Sequence, residues 1–305
     1  MVRADDLGIF LEVARHGRLT EAAKVLKLNH TTVGRHISQL ERSVQQRLFN
    51  REPSGWTLTE PGMRLLAHAE AIEAAVRAAN EDCLLTGKHL TGSVRIVAPD
   101  GFGSYLLVPG LGRFSEQLGG LTVEVVTANR HTSLTSREFD VAITIERPQA
   151  RGVKVSLLAN YQLAFFGAPD YLATRPTVTD PAEIADAFEL IWYVDEALGA
   201  HTYQTLYGLV PDAAPRVQSN SIAAQINAAQ QGMGLAFLPT YIGRRIPGLV
   251  RLPGVEQTVP HSYWLLVPSN FERLARVMMM TRMLHQLVHD TAGLAPPTRL
   301  SLVAD

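Results

Sequence analysis

The chain has 305 residues, 46% of them hydrophobic and 19% charged, enough for two or three domains with buried cores and too apolar for a disordered chain. Its one cysteine, Cys83, excludes an intramolecular disulfide framework, a cysteine-rich zinc site and a switch between two thiols of one chain, and fits a reducing cytosol. No segment approaches the roughly 20 apolar residues that span a bilayer, and a formal net charge of −1, taken alone, argues against a nucleic-acid partner.

The first stretch reads as three short helices. Leu7, Phe10, Leu11 and Ala14 recur at helical spacing and make one apolar face, and Gly17 stops the helix after Arg15 and His16, cations that suit its last turn. Asp5, Asp6, Glu12 and Arg15 interrupt this segment, so it is not read as a signal peptide. Thr20 is the expected N-cap of a second helix carrying Ala22, Ala23 and Leu26, and Asn29 that of a third over residues 30–43, with Val33, Ile37, Leu40 and Val44 on its buried face. Small residues at Ala22 and Ala23 let the second and third helices cross closely, as a helix-turn-helix requires. Charge is concentrated here: from Arg15 to Arg51 there are eight Lys or Arg and two acids, a local charge of +6. A basic cluster in a near-neutral protein is the electrostatic footprint of a DNA-binding head, although a solvated helix surface would read the same on charge alone.

Leu48–Arg51, a Pro53/Gly55 turn and Trp56–Leu58 read as a hairpin, the wing of a winged helix. Pro61 then opens a long helix reaching about Leu85. Leu65, Ala69, Ile72, Val76, Ala79 and Cys83 follow one another along it at alternating steps of four and three residues, the seam of a helix paired with another long helix, and Cys83 is a small apolar member of that seam. A hinge is expected between Thr86-Gly87 and Thr91-Gly92. Beyond it strands (94–98, 121–127, 140–145, 153–158, 163–166, 190–194, 235–238 and 263–267) alternate with helices (105–117, 222–231, 239–245 and 271–289), which means an α/β fold with a mostly parallel sheet. The tail from Thr291, with Pro296-Pro297, is expected to be loosely ordered.

These residues closely resemble the LysR family of transcription regulators. The likeness rests on F-x-x-V-A-x-x-G from Phe10, L-T-E-A-A-K-V-L from Leu19, H-T-T-V-G-R-H-I-S-Q-L-E from His30, R-L-F-N-R from Arg47 and L-T-E-P-G from Leu58, all at fixed spacing. It extends more weakly over Val94–Pro99, Phe139-Asp140-Val141 and Gly232–Pro239. The resemblance implies an all-α winged helix-turn-helix over 1–60, a dimerising linker helix over 61–86, a hinge over 87–91, and an α/β effector domain over 92–290 resembling a periplasmic binding protein. That domain would have two subdomains, 92–160 with 267–290 and 161–266, the chain crossing twice between them, and a tail over 291–305 would follow. It implies double-stranded DNA, a small-molecule effector, further copies of the chain (a dimer or tetramer) and RNA polymerase as partners, a cytoplasmic location, no membrane and no cofactor. Antiparallel linker helices would hold the two Cys83 residues of a dimer apart.

On this resemblance, DNA contacts fall on Thr20, Asn29, His30, Thr31, Thr32, Gly34, Arg35, Arg51 and Ser54. An arginine fork can bond guanine and threonine can meet a phosphate or a thymine methyl, though several of these contacts are expected to reach only the DNA backbone. Four positions depart from the family's usual residues: Arg18 and Gly34 stand for serine, Gln45 for glycine and Ser54 for arginine. The effector cleft is implied at Asp100, Gly101 and Phe102 after the first strand, Thr127, Ala128 and Asn129 after the second, Ile145 and Glu146 after the third, and Ser219, Asn220 and Ser221 at a helix N-terminus. Loops at the carboxyl ends of strands and helix N-termini are natural ligand sites, and such residues also simply cap helices. The Gly232-x-Gly234 pair reads as a tight turn rather than a phosphate loop. His285 and His289, with Asp290 adjacent, lack a third ligand of the usual spacing and read as a solvated helix face rather than a metal site. No nucleophile elbow, metal cluster or dinucleotide fingerprint supports an enzyme with a DNA-binding appendage. A solute-binding transport module is disfavoured by the attached winged helix.

Overall fold

In the computed structural model the described residues are 2–52, 55–84, 90–127, 139–148, 152–194, 207–211 and 213–296. They form two compact units, residues 1–88 with 273–275, and 89–272 with 276–305.

The first unit begins with α1 (Ala4–His16), α2 (Leu19–Leu26) and α3 (His30–Val44). Gly17 ends α1 at φ 63°, returning its N–H to the Val13 carbonyl, as a left-handed glycine cap does. Asn29 caps α3, its side chain accepting from Thr31 N. Thr20 is not the cap of α2: the helix starts one residue before it, with Arg18 at the cap position and no side-chain bond there. Phe10, Val13, Ala22, Val33, Ile37 and Leu40 are wholly buried in one core. Behind α3, Gln45 takes φ 54°, which explains why glycine is the usual residue there. A left-handed residue with a Cβ costs about 1–2 kcal/mol.

The hairpin pairs β1 (Phe49–Glu52) with β2 (Gly55–Leu58), and Phe49 packs between Phe10 and Trp56 with its ring tilted to both, at centroid distances of 5.3 and 5.6 Å. Glu41 fastens the wing to α3 by accepting from Leu48 N, Phe49 N and the Arg51 guanidinium. α4 (Glu60–Leu84) follows, and at its start Gly62 passes so close to the Leu48 carbonyl that a Cβ would collide with it. The seam on α4 is divided. Leu65 and Ala69 pack into the core of the same unit, while Ile72 and Val76 are exposed. Arg15 on α1 forks onto Glu73 of α4 and also pairs with Glu12. The side chain of Cys83 and residues 85–89 of the expected hinge lie outside the described residues.

The second unit is built on a nine-stranded mixed sheet. β3 (Thr91–Ala98) lies parallel between β4 (Gly120–Thr127) and β5 (Val141–Thr144). At the other end β7 (Leu190–Trp192) lies parallel between β8 (Pro215–Gln218) and β9 (Leu235–Pro239). Two long strands join these halves: β6 (Val153–Gly167) and β11 (Val259–Pro268) run antiparallel to each other, from Val153 opposite Pro268 to Leu163 opposite Val259, with an irregularity at Tyr263/Trp264. β10 (Val250–Arg251) adds to β6. The sheet is therefore parallel only within each half, because a chain that leaves one half and returns must cross in opposite directions. The strands expected at 153–158 and 163–166 are one strand. Between them Asn160 is exposed, while Leu158, Ala159 and Tyr161 continue the buried run.

Short helices Pro169–Ala173 (α5) and Ile184–Ala187 (α6) precede β7, and α7 (Ile222–Gln230) and α8 (Thr240–Gly243) flank β9. The turn before β9 uses Gly232 at φ 69° and Gly234 at φ 154°, where a Cβ would strike the Glu189 carbonyl. Residues 100–118 form an irregular helical run with one π turn at Gly103–Leu107. Pro109, which has no N–H to give, stands just beyond that turn. α9 (Ala275–His289) buries Val277, Met280, Leu284 and Val288. The start of the tail is docked, not loose: Thr291 and Leu294 are buried, and Asn160 and Ala295 exchange backbone hydrogen bonds of 2.8 Å. Residues 297–305 lie outside the described residues.

Candidate functional sites: a nucleic-acid interface and an effector cleft

On α3, Val33, Ile37 and Leu40 face the core, which turns His30, Thr31 and Arg35 to solvent and leaves Thr32 and Gly34 half exposed. Thr31 and Arg35 are one turn apart and share a face. The Thr31 hydroxyl donates to Asn29 Oδ1 at 3.0 Å, so the cap also orients it. Arg35 has no carboxylate partner among the described residues. A Cβ on Gly34 would meet only Leu19 Cδ1, at an ordinary 3.6 Å, so internal packing does not require glycine there. Thr20 is exposed in the first turn of α2. Arg51 is already engaged, paired with Glu41 at 2.6 Å and lying 4.6 Å over the Trp56 ring, with its side chain about half exposed. Ser54 lies outside the described residues.

One positioning contact escaped the sequence reading. His36 Nδ1 on α3 lies 2.7 Å from Oδ1 of Asp6, a buried carboxylate on α1. From sequence, Asp6 was only one of the charges that rule out a signal peptide, and nothing marked it as the brace of the exposed helix.

In the second unit the carboxyl ends of β3, β4 and β5 present one set of expected residues and α7 the other. Asp100 and Ser221 meet. Asp100 Oδ2 accepts from Ile222 N at 2.7 Å and from Ser221 Oγ at 3.3 Å, while Oδ1 accepts from Ser104 Oγ. Ser219 Oγ accepts from Ser221 N, and the Ser219 carbonyl from Gln225. Beside this clasp a Cβ on Gly101 would lie 3.2–3.3 Å from Ile242 and Ile222, so glycine allows the two halves to close here. The N-terminus of α7, where a ligand anion would be stabilised, thus holds the chain's own carboxylate.

Phe102 is fully buried and meets Tyr263 edge-on at 4.9 Å. Tyr263 stacks on Tyr161 at 4.2 Å, and its hydroxyl is 3.0 Å from that of Tyr241. Burial pushes these three phenols, and Tyr193, well above the usual tyrosine range, so they act as neutral hydrogen-bonding groups. The sequence reading missed all four, since they come from separate strands and helices with no shared motif. β5 ends with Thr144 opposite Trp264, so Ile145 and Glu146, both half-buried, leave the sheet at the crossover. Thr144 Oγ1 donates to the Glu146 carbonyl, and Arg147 stacks over Trp264 at 5.4 Å. Thr127 and Asn220 are exposed, and Ala128 and Asn129 lie outside the described residues. Near His289, the Asp290 carboxylate is held by Gln286, His289 and Arg113; no three-residue metal-ligand group occurs among the described residues.

Comparison with known proteins agrees with this arrangement. Residues 4–63 match the family described as bacterial regulatory helix-turn-helix protein, lysR family, and residues 87–288 match the LysR substrate binding domain. Relatives include the HTH-type transcriptional regulator HdfR of Yersinia pestis, 28% identical over 91% of this chain and 95% of its own length. The iron-regulated virulence regulatory protein IrgB of Vibrio cholerae is 26% identical over 76% of this chain and 78% of its own length. Among solved structures, a full-length OxyR variant from Pseudomonas aeruginosa superposes with a TM-score of 0.71 at 18% identity, covering 98% of both chains. Full-length LysG from Corynebacterium glutamicum, with bound effector arginine, superposes with a TM-score of 0.64 at 17% identity, over 97% of this chain and 100% of LysG. A winged helix-turn-helix followed by a two-subdomain effector-binding domain is the architecture of a transcription regulator, not an enzyme. The chain belongs to the LysR family.

Proposed function

We propose that this regulator binds DNA as a dimer or tetramer through α3 and the wing, and that a small molecule seated between its two effector subdomains modulates that binding. The observation that carries the first part is α3 itself: its apolar side is buried, and its exposed side offers His30, Thr31 and Arg35, which has no carboxylate partner among the described residues. Thr20, Asn29, Thr32, Gly34, Arg51 and Ser54 complete the assigned DNA surface, with Arg51 acting from its place on Glu41 and Trp56. The subdomains are assigned as 92–160 with 267–290 and 161–266, which the passage of β6 and β11 between the halves supports. A cytoplasmic location fits the absence, among the described residues, of any helix long and apolar enough to cross a membrane. RNA polymerase is the expected protein partner of a regulator of this kind.

Arg35→Ala tests the DNA assignment. If Arg35 reads a base, its own operator loses about 1–3 kcal/mol and specificity relaxes at one position; if it holds a phosphate, all sequences weaken alike and the salt slope falls by about one unit. Fluorescence anisotropy on specific and random DNA at two salt concentrations separates these results, and unchanged binding to both DNAs would refute the placement of α3.

The effector site is assigned, on the family likeness, to Asp100, Gly101, Phe102, Thr127, Ala128, Asn129, Ile145, Glu146, Ser219, Asn220 and Ser221. Because Asp100 already supplies an anion to α7, the cleft suits a neutral, aromatic or partly cationic ligand better than a simple dicarboxylate. Asp100→Ala should open that anion position, so that acetate raises the thermal midpoint of the variant but not of the parent protein. An identical acetate response in both proteins would contradict this reading of the clasp.

A further inference from the structure

The second unit also carries a pocket of about 500 Å³ at the far end of the 100–118 helical run, where residues 113–117 face α9. From Asp100 to Arg113 the run advances about 20 Å at helical rise, so the pocket is separate from the cleft. Its size falls within the range of small-molecule sites.

The lining combines apolar and cationic groups, with Arg113 lying 5.9 Å over the Phe114 ring. Phe114 and Met283 are buried and Met279 is half-buried, giving one apolar wall of an aromatic ring and two thioethers. Two guanidinium groups, Arg113 and Arg282, also line it, with a single carboxylate, Asp290. Asp290 is committed: it pairs with Arg113 at 2.6 Å and accepts from Gln286 at 3.1 Å and from His289. These bonds, from Gln286, His289 and Arg113, hold its carboxyl at about 2, so it stays ionised and keeps Arg113 in place. Arg282 has no carboxylate partner among the described residues, and its one hydrogen bond there is a 3.4 Å bond from Nε to the Met278 carbonyl one helical turn back. The pocket therefore has a net positive charge and one guanidinium fork free beside an apolar wall. A guanidinium matches a carboxylate bidentately, and methionine sulfur and phenylalanine favour an aromatic neighbour.

We propose that this pocket is a second ligand site, distinct from the cleft, that takes an aromatic monocarboxylate: the carboxylate on Arg282, the ring against Phe114, Met279 and Met283. The site would let an anion act on the regulator independently of the cleft ligand.

Isothermal titration of the full chain with 2-naphthoate, and with neutral 2-naphthamide as control, tests it. Saturable naphthoate binding is expected, at least tenfold tighter than the amide. Arg282→Glu, at an exposed position, should weaken it at least tenfold with an unchanged thermal midpoint. Met279→Trp, which fills the pocket, should abolish it while DNA affinity is retained. Absence of saturable binding would overturn the proposal. So would naphthoate affinity unchanged by either variant, which would place the probe elsewhere, or naphthamide binding as tightly as the acid.

Discussion

Replacing Ile72 and Val76 together by aspartate will separate the copies of this regulator and cost most of its DNA affinity. The two residues lie one turn apart on α4 and are 40% and 51% exposed in the single chain. The neighbouring apolar positions, Leu65, Leu66 and Ala69, are already packed against the core of their own unit. That division fixes the near part of α4 to the core of its own unit and leaves Ile72 and Val76 exposed, as the proposed seam between copies requires. Two aspartates there would have to be desolvated in an apolar seam, which costs several kcal/mol without a compensating partner. Light scattering should give the mass of one chain. Affinity for a two-half-site operator should fall by at least about 100-fold, because the second head no longer binds intramolecularly. A variant that keeps the parent's mass would show that the seam does not join the copies.

The second large effect is expected inside the effector domain. Arg276 in the first turn of α9 lies 3.4 Å from Asp140, with side chains only 8% and 12% exposed. The other oxygen of Asp140 accepts from Arg95 N at 2.8 Å, so the pair ties α9 to β3 at the entrance to β5. Removing one member of a buried pair leaves the other charge in a site built to neutralise it, at about 3–5 kcal/mol. Against a typical total stability of about 5–15 kcal/mol, Arg276→Ala should shift the denaturant midpoint of this unit strongly. Asp140→Leu combined with Arg276→Met should recover most of the loss, because apolar packing avoids the desolvation of both ions. If Arg276→Ala unfolds at the parent's midpoint, the pair is not what anchors α9.

Local signals made the head legible. Gly17 and Asn29 cap helices where the sequence places them, and the spacing of Val33, Ile37 and Leu40 correctly identified the exposed side of α3. Thr20 was misread because α2 begins without a side-chain cap, so the nearest residue with capping chemistry drew the assignment. The long strand β6 was expected as two because the residues that join them are held in the strand by a partner a hundred residues on, which no local pattern reveals. The cleft shows the same limit. Asp100 and Ser221 could each be named from the resemblance, but their mutual bond, and the packing of Phe102 on Tyr263, join parts of the chain that share no local pattern. Docking of Thr291 and Leu294 likewise depends on a surface formed by distant strands.

The most direct measurement is an anisotropy titration of the full chain on duplex DNA from immediately upstream of its own coding sequence, beside a scrambled duplex of equal length, at two salt concentrations. A regulator that reads DNA through α3 should bind the native duplex at least about 1,000-fold more tightly, with affinity for both falling steeply as salt rises. Equal affinity for the two duplexes at both salt concentrations would contradict it.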